Sequence, residues 1–353
     1  MGRRRRSAIG TVIRMFILAL VIAVAWQVYE DWHDSRTGDI VQMTTIRYSY
    51  EQMENDINKL RRAYPKLISV EVPATSPDGR GLYLLHVGNM QADNHVLIQA
   101  SMHAREYVNT QICMKQIEML CRNAGTAGRH GWTGAALLDK VCFHIFPMNN
   151  PDGVAICQQG PDAVRNSSLR AILDDCCQRE AGGDPDYWKK WKANARGVDL
   201  NSNFDAHWDT FTSGSSLPSS QKYKGEAPAS EPEVQVLLKT AEKYRVCFVL
   251  SYHTAGGLIY WNYASGSALE TEKELCSLLS SLTGYYADTI STPCGCSNYF
   301  GEVKNIPSLT IEMVAGRGGE DYPLGDEVLA PAWEAAAEIL PELAFYFSNL
   351  PEK

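Results

Sequence analysis

The run Ser101-Met102-His103-Ala104-Arg105-Glu106 sets an imidazole and a carboxylate three positions apart, a spacing that can bring two metal ligands together. Alone it is weak evidence, because a loop histidine near a capping glutamate produces the same pattern by chance. His253, in Ser251-Tyr252-His253-Thr254, changes the odds. Zinc takes neutral imidazole nitrogens and carboxylate oxygens, and a catalytic zinc keeps one position open for water. His103, Glu106 and His253 supply such a set. A further carboxylate, Glu312 in Thr310-Ile311-Glu312-Met313, reads by position alone as a paired group at a strand end.

Five apolar runs are predicted as strands: Leu82 to Val87, Val96 to Ala100, Val141 to Phe146, Val246 to Leu250 and Leu309 to Met313. Between them lie helix-period segments. Cys113, Ile117, Leu120 and Cys121 form one apolar stripe, and Val234, Leu237, Leu238 and Ala241 another. Ser230-Glu231-Pro232-Glu233 reads as a capping box with proline in the first turn. Such alternation predicts an α/β fold, with a mixed, mostly parallel sheet sandwiched between helices. In sheets of this kind ligands gather beyond the carboxyl ends of strands. His103 and Glu106 follow the strand ending at Ala100, His253 follows the one ending at Leu250, and Glu312 closes another. His86, His95, His130 and His144 lie within strands or in a glycine-rich loop and read as structural or solvated.

SMHARE, NNPDG, WKANARGVDLNSNF, SYHTAGG and SLTIEM, in that order from about Tyr48 to the C-terminus, resemble the zinc metallocarboxypeptidases of the carboxypeptidase A type. The resemblance implies a sheet of about eight strands between helices and one zinc ion on His103, Glu106 and His253. It makes Glu312 the general base. The family's Trp-Arg-Lys-Asn carries an arginine that stabilises the tetrahedral intermediate, and Trp191-Lys192-Ala193-Asn194 matches it with Lys192 in that place. Lysine keeps the charge and loses the bidentate fork. In the exopeptidases Asn-Arg-Asn-Phe grips the substrate's terminal carboxylate. Here Asn201-Ser202-Asn203-Phe204 has no guanidinium, and Asn201 offers only a neutral contact. The catalytic-loop tyrosine has no clear counterpart: ungapped counting reaches Ile290, and Tyr285, Tyr286 and Tyr299 are candidates.

With Gly197-Val198-Asp199-Leu200 and Ala206-His207-Trp208, these departures resemble the bacterial γ-D-glutamyl-L-diamino acid endopeptidases, which cut peptidoglycan stem peptides. His207 reads as structural beside Trp208 and Phe204. The resemblance therefore implies hydrolysis of γ-D-glutamyl-diaminopimelate links. Two alternatives stay open at this point. One is a carboxypeptidase that recruits Arg317 or Arg165 as its carboxylate clamp, and the other is a catalytically silent cell-wall binding protein.

Composition sets the frame for this chemistry. The 353 residues, 45% hydrophobic, can bury the core of one large catalytic domain, and the net charge of −8 excludes a nucleic-acid binder with its basic face. The basic block Arg3 to Arg6 precedes a stretch that is uncharged from Met15 to Tyr29, as in export signals, with Ala23-Val24-Ala25 as a cleavage site. Without cleavage the segment stays as a membrane anchor. Residues 1–35 are thus expected to be signal or anchor, 36–45 a linker and 46–353 the peptidase domain, outside the cytoplasm. Ten cysteines permit disulfides there, with buried thiols the competing reading for Cys113, Cys121, Cys142 and Cys247.

Overall fold

The computed structural model describes residues 38–212, 214–289, 294–318 and 321–350. The expected signal or anchor segment, and Ile290, lie outside them. Among the described residues no helix is long and apolar enough to cross a membrane. Residues 38–45 of the expected linker pack onto the domain, with Ile40 and Val41 buried and their N–H groups donating to the Glu118 carboxylate at 2.7 and 3.0 Å.

Eight strands form one sheet: β1 (Ile68–Thr75), β2 (Gly81–Gly88), β3 (Asn94–Ala100), β4 (Val141–Phe146), β5 (Phe248–Gly256), β6 (Leu258–Tyr260), β7 (Tyr286–Asp288) and β8 (Ser308–Ala315). Their order is β1-β2-β4-β3-β5-β8-β6-β7. The β4/β3, β3/β5, β5/β8 and β6/β7 pairs are parallel and the other three antiparallel, so the sheet is mixed and mostly parallel as expected. Alternate residues of the central strands enter opposite cores. Ile98, Leu250 and Ile311 join one apolar cluster, whereas Leu97 and Val249 join another with Val234 and Leu237. Both faces being covered explains why the central strands read as continuous apolar runs.

The flanking helices are α1 (Tyr50–Ala63), α2 (Val108–Arg122), α3 (Pro151–Gln159), α4 (Ser167–Ala181), α5 (Pro232–Tyr244), α6 (Gly266–Thr283), α7 (Leu329–Ala336) and α8 (Ile339–Ser348). The Cys113 to Cys121 stripe is buried on α2. Helix α5 begins at Pro232, but the expected capping box does not form. Glu231 is the N-cap and makes no side-chain cap, because the Ser230 hydroxyl is taken by Glu231 Oε1 at 2.9 Å and by the Asn203 amide at 3.0 Å.

The strand expected to stop at Leu250 runs on to Gly256, so His253 lies inside β5 and not after it. The cause is its neighbour. Strand β8 pairs with β5 from Val249↔Ser308 to Gly256↔Ala315 and keeps the ladder going past the apolar run. Gly257 then turns the chain around the end of β8 at φ +67°, where a Cβ would stand 2.6 Å from that of Ala315. No disulfide joins any of the ten cysteines, and nine are buried, so the buried-thiol reading holds for Cys113, Cys121 and Cys142, while Cys247 is only half-buried.

Candidate metal centre

A sharp bend follows β3. Ser101 adopts φ 52°, held by its hydroxyl to Thr110 Oγ1 at 2.7 Å and to the Glu106 carbonyl at 3.2 Å. The bend turns His103 and Glu106 toward β5, where His253 waits. His103 Nδ1 lies 2.8 Å from Glu106 Oε1 and 3.0 Å from His253 Nδ1, which is 3.1 Å from Glu106 Oε2. All three side chains are buried. Thr254 N–H adds a bond to Glu106 Oε2 at 3.2 Å, locking the carboxylate to the β5 backbone.

The second nitrogen of His103 decides the character of this cluster. Its Nε2 lies 3.4 Å from Asp199 Oδ1, a fully buried carboxylate. With the proton on that side, Nδ1 is a bare lone pair turned toward a carboxylate and another ring nitrogen. Acceptors converging in a buried space call for a cation among them. The donor set, two imidazoles and a carboxylate, fits zinc.

Charge reinforces the arrangement. Burial alone would raise the Glu106 carboxyl, but His103 and His253 overcome it and hold it well below the usual carboxylate range. Burial likewise opposes ionisation of Asp199, and Lys192 and His103 hold it well below that range. The His253 ring, which burial would push down, is raised by Glu106 and Glu312. Burial and neighbouring charge thus pull these groups in opposite directions within one cluster.

Glu312 stands beside this cradle on β8, directly opposite His253 in the parallel ladder. Burial and the Glu106 charge push its carboxyl up to about 7, with His253, Lys192 and Arg105 opposing. Lys192 Nζ reaches Asp199 Oδ2 at 3.4 Å, and its segment is tied to the His103 loop by Ala104 N–H to the Lys192 carbonyl at 3.0 Å. The 3-10 turn Leu200–Ser202 follows Asp199 directly. There Ser202 is buried, and Asn201 Oδ1 accepts the Cys296 N–H at 2.9 Å, leaving its amide hydrogens for another partner.

With that constellation in view, its kinship is plain. The model of the zinc carboxypeptidase family, peptidase M14, matches residues 53–326. The chain belongs to the zinc carboxypeptidase family. It is a zinc metallopeptidase by that membership. It is 28% identical over 282 residues to γ-D-glutamyl-L-diamino acid endopeptidase 1 of Lysinibacillus sphaericus, covering 79% of this chain and 68% of that protein. Against carboxypeptidase B of Astacus astacus it is 25% identical over 291 residues, 80% of this chain and 83% of the other. The crystal structure of thrombin-activatable fibrinolysis inhibitor shares the fold, with a TM-score of 0.70 at 19% identity over 90% of this chain and 79% of that one.

Some expected residues stand elsewhere. Arg317 pairs with Glu327 at 2.8 Å on the surface, and Arg165 is exposed with its backbone N–H on Asp78. Tyr285 is buried in the main core, Tyr286 is exposed on β7, and Tyr299 packs on Phe204 and Phe300. Tyr260 and Tyr263, which the sequence did not single out, are the ones whose hydroxyls feel the Glu312 charge, together with Tyr322. His207 does not pack on Trp208 and Phe204 as expected. Its ring is largely exposed and pairs with Glu302 at 2.7 Å. Asp199 is the residue that sequence reasoning passed over, although it stands inside the quoted GVDLN segment, and a carboxylate preceding Asn201 was its only signal.

Proposed function

We propose that the chain hydrolyses γ-D-glutamyl-diamino acid links of peptidoglycan stem peptides, with one zinc on His103, Glu106 and His253. Bound there, the ion would polarise the scissile carbonyl and acidify a water molecule. Glu312, pushed up to about 7, is suited to take the water's proton and hand it to the leaving amine. Lys192, which stands beside Asp199, would supply the positive charge that stabilises the oxyanion. Asp199 holds His103 in the tautomer that leaves Nδ1 free.

One observation carries the choice of substrate. The turn that follows Asp199 presents Asn201 and buried Ser202, both neutral, where a carboxylate-gripping exopeptidase needs a guanidinium. Neutral groups discriminate poorly for a free C-terminus, and the endopeptidase relative is named for internal γ-linked cleavage. Arg317 is paired at the surface and does not support a relocated clamp. The complete ligand set argues against a silent binding protein. An N-terminal basic block ahead of an uncharged apolar stretch supports an extracytoplasmic location, secreted or anchored.

The deciding experiment is digestion of purified muropeptides by the zinc-loaded chain, with products identified by mass spectrometry. The expected kcat/KM is higher for a γ-linked muropeptide than for a matched α-linked C-terminal substrate. A ratio well below one refutes the endopeptidase reading.

A further inference from the structure

A second convergence of metal-ligating side chains occupies the other end of the sheet. In register, His86 of β2 pairs with His144 of β4, and His95 of β3 pairs with Cys142 of β4, so all four project from one face. The Tyr244 ring, ending α5, stacks on His144 with centroids 4.0 Å apart at 17°. Five residue steps along β3 lead from His95 to Ala100, roughly 16 Å at strand spacing, so the cluster lies away from the peptidase machinery.

These side chains are arranged as ligands. His95 Nδ1 and His144 Nε2 stand 2.8 Å apart, and with Cys142 the three offer ligand atoms all within 4.8 Å of one another. Among the described residues one other such group exists, the zinc cradle, whose facing ring nitrogens are 3.0 Å apart. A fourth donor is present: Cys142 Sγ lies 3.7 Å from Met90 Sδ. The outer partner is present too. His144 Nδ1 is 2.7 Å from His86 Nδ1, and His86 Nε2 is 3.6 Å from Glu71 Oε1. With His144 donating to His86, and His86 turned to Glu71, His144 Nε2 is left bare toward the cluster. Asp199 does the same for His103. Cys142 and His144 are buried, while Met90 and His95 are half-buried, so the cluster is reachable from the β2–β3 connection.

We propose that His95, Cys142 and His144, with Met90 as a weaker fourth donor, form a second metal site that takes a single copper(I) ion. Thiolate and thioether together select the soft ion, whereas zinc sites are built from thiolate, imidazole and carboxylate. On binding, the copper–sulfur bond forms as the Cys142 S–H breaks and its proton leaves to solvent. The proton held between His95 and His144 passes through solvent to His95 Nε2. No electron is transferred. The ion ties β3 to β4 and leaves the zinc cradle untouched.

The test uses the full, zinc-loaded chain, titrated without oxygen with copper(I) buffered by a coloured chelator. Wild type is expected to take a copper beyond its zinc, with sulfur neighbours in the X-ray absorption spectrum. Cys142→Ser and His95→Gln should each weaken copper binding by more than the roughly 10–100-fold that loss of an outer partner costs. Met90→Leu should weaken it less, and zinc content should be unchanged in all three. His103→Ala should lose zinc and keep copper. Thiols elsewhere contribute equally to wild type and His95→Gln, so that half-buried position serves even if Cys142→Ser does not fold. Copper affinity in His95→Gln equal to wild type overturns the site, and uptake of zinc in preference to copper at these residues overturns the choice of metal.

Discussion

Asp199→Asn is the sharpest probe of how the metal centre is held. The carboxylate is buried and touches His103 Nε2 and Lys192 Nζ, each at 3.4 Å, and accepts the Lys222 N–H at 3.0 Å. At 3.4 Å and an effective dielectric of about 20, a full pair of opposite charges interacts by roughly 5 kcal/mol. That is an upper bound for the Lys192 contact, because the lysine side chain is 19% exposed and water screens it. At His103 the ring is neutral when it binds metal, so the loss there is the 3.4 Å approach of a carboxylate that favours the proton on Nε2. An asparagine keeps the shape. Its amide hydrogens face either the His103 N–H or the lysine ammonium, and each choice sets donor against donor. The expected effect is the 10–100-fold weakening of metal affinity usual for an outer partner, about 1.4–2.7 kcal/mol. Chelator competition measures the zinc Kd directly, with thermal melting as the check that the fold persists. A zinc Kd equal to wild type in a folded Asp199→Asn protein refutes the orienting role.

The other predictions concern the reacting groups. Glu312→Gln should retain zinc while turnover falls by roughly 100-fold or more, since the amide accepts no proton, and elemental analysis beside kinetics separates the two. His253→Ala should lose zinc, because a histidine and a carboxylate rarely hold a catalytic ion tightly, and full occupancy in that variant excludes His253 as a ligand. Lys192→Met should lower kcat and move the acidic limb of its pH profile upward. The ammonium holds Glu312 down, so without it the base stays protonated to higher pH; a limb that moves down contradicts this sign. Lys192→Arg should restore the limb. Ser202→Arg should not speed γ-linked cleavage, and gain on that substrate would show that the serine does not define the preference.

The central strands and the clustering of His103, Glu106 and His253 were legible because apolar runs are followed by chemically distinctive residues. The runs at Val96, Val141 and Leu309 fall inside β3, β4 and β8. Three strands were not. β1 carries Glu71 and Pro73 on an edge with an irregular register, and β6 and β7 have three residues each, too short for any period to emerge. His253 was placed one element too late because its strand is prolonged by pairing with β8, which no local pattern encodes. Asp199 was hidden for a similar reason: its meaning comes from contact with His103, far away in sequence. The histidines of β2, β3 and β4 looked structural one by one, since only the strand register brings them face to face.

The register of β5 against β8 fixes the spacing between the proposed zinc ligand His253 and the proposed base Glu312, which stand opposite one another, by the ladder of backbone hydrogen bonds. A single-residue insertion in either strand would turn one of the two side chains to the other face of the sheet. Deletions and insertions in the surrounding loops leave that spacing alone. Loops that carry none of the centre's residues can therefore change length to reshape what peptide is admitted, whereas the two-strand ruler tolerates substitutions but not changes of length.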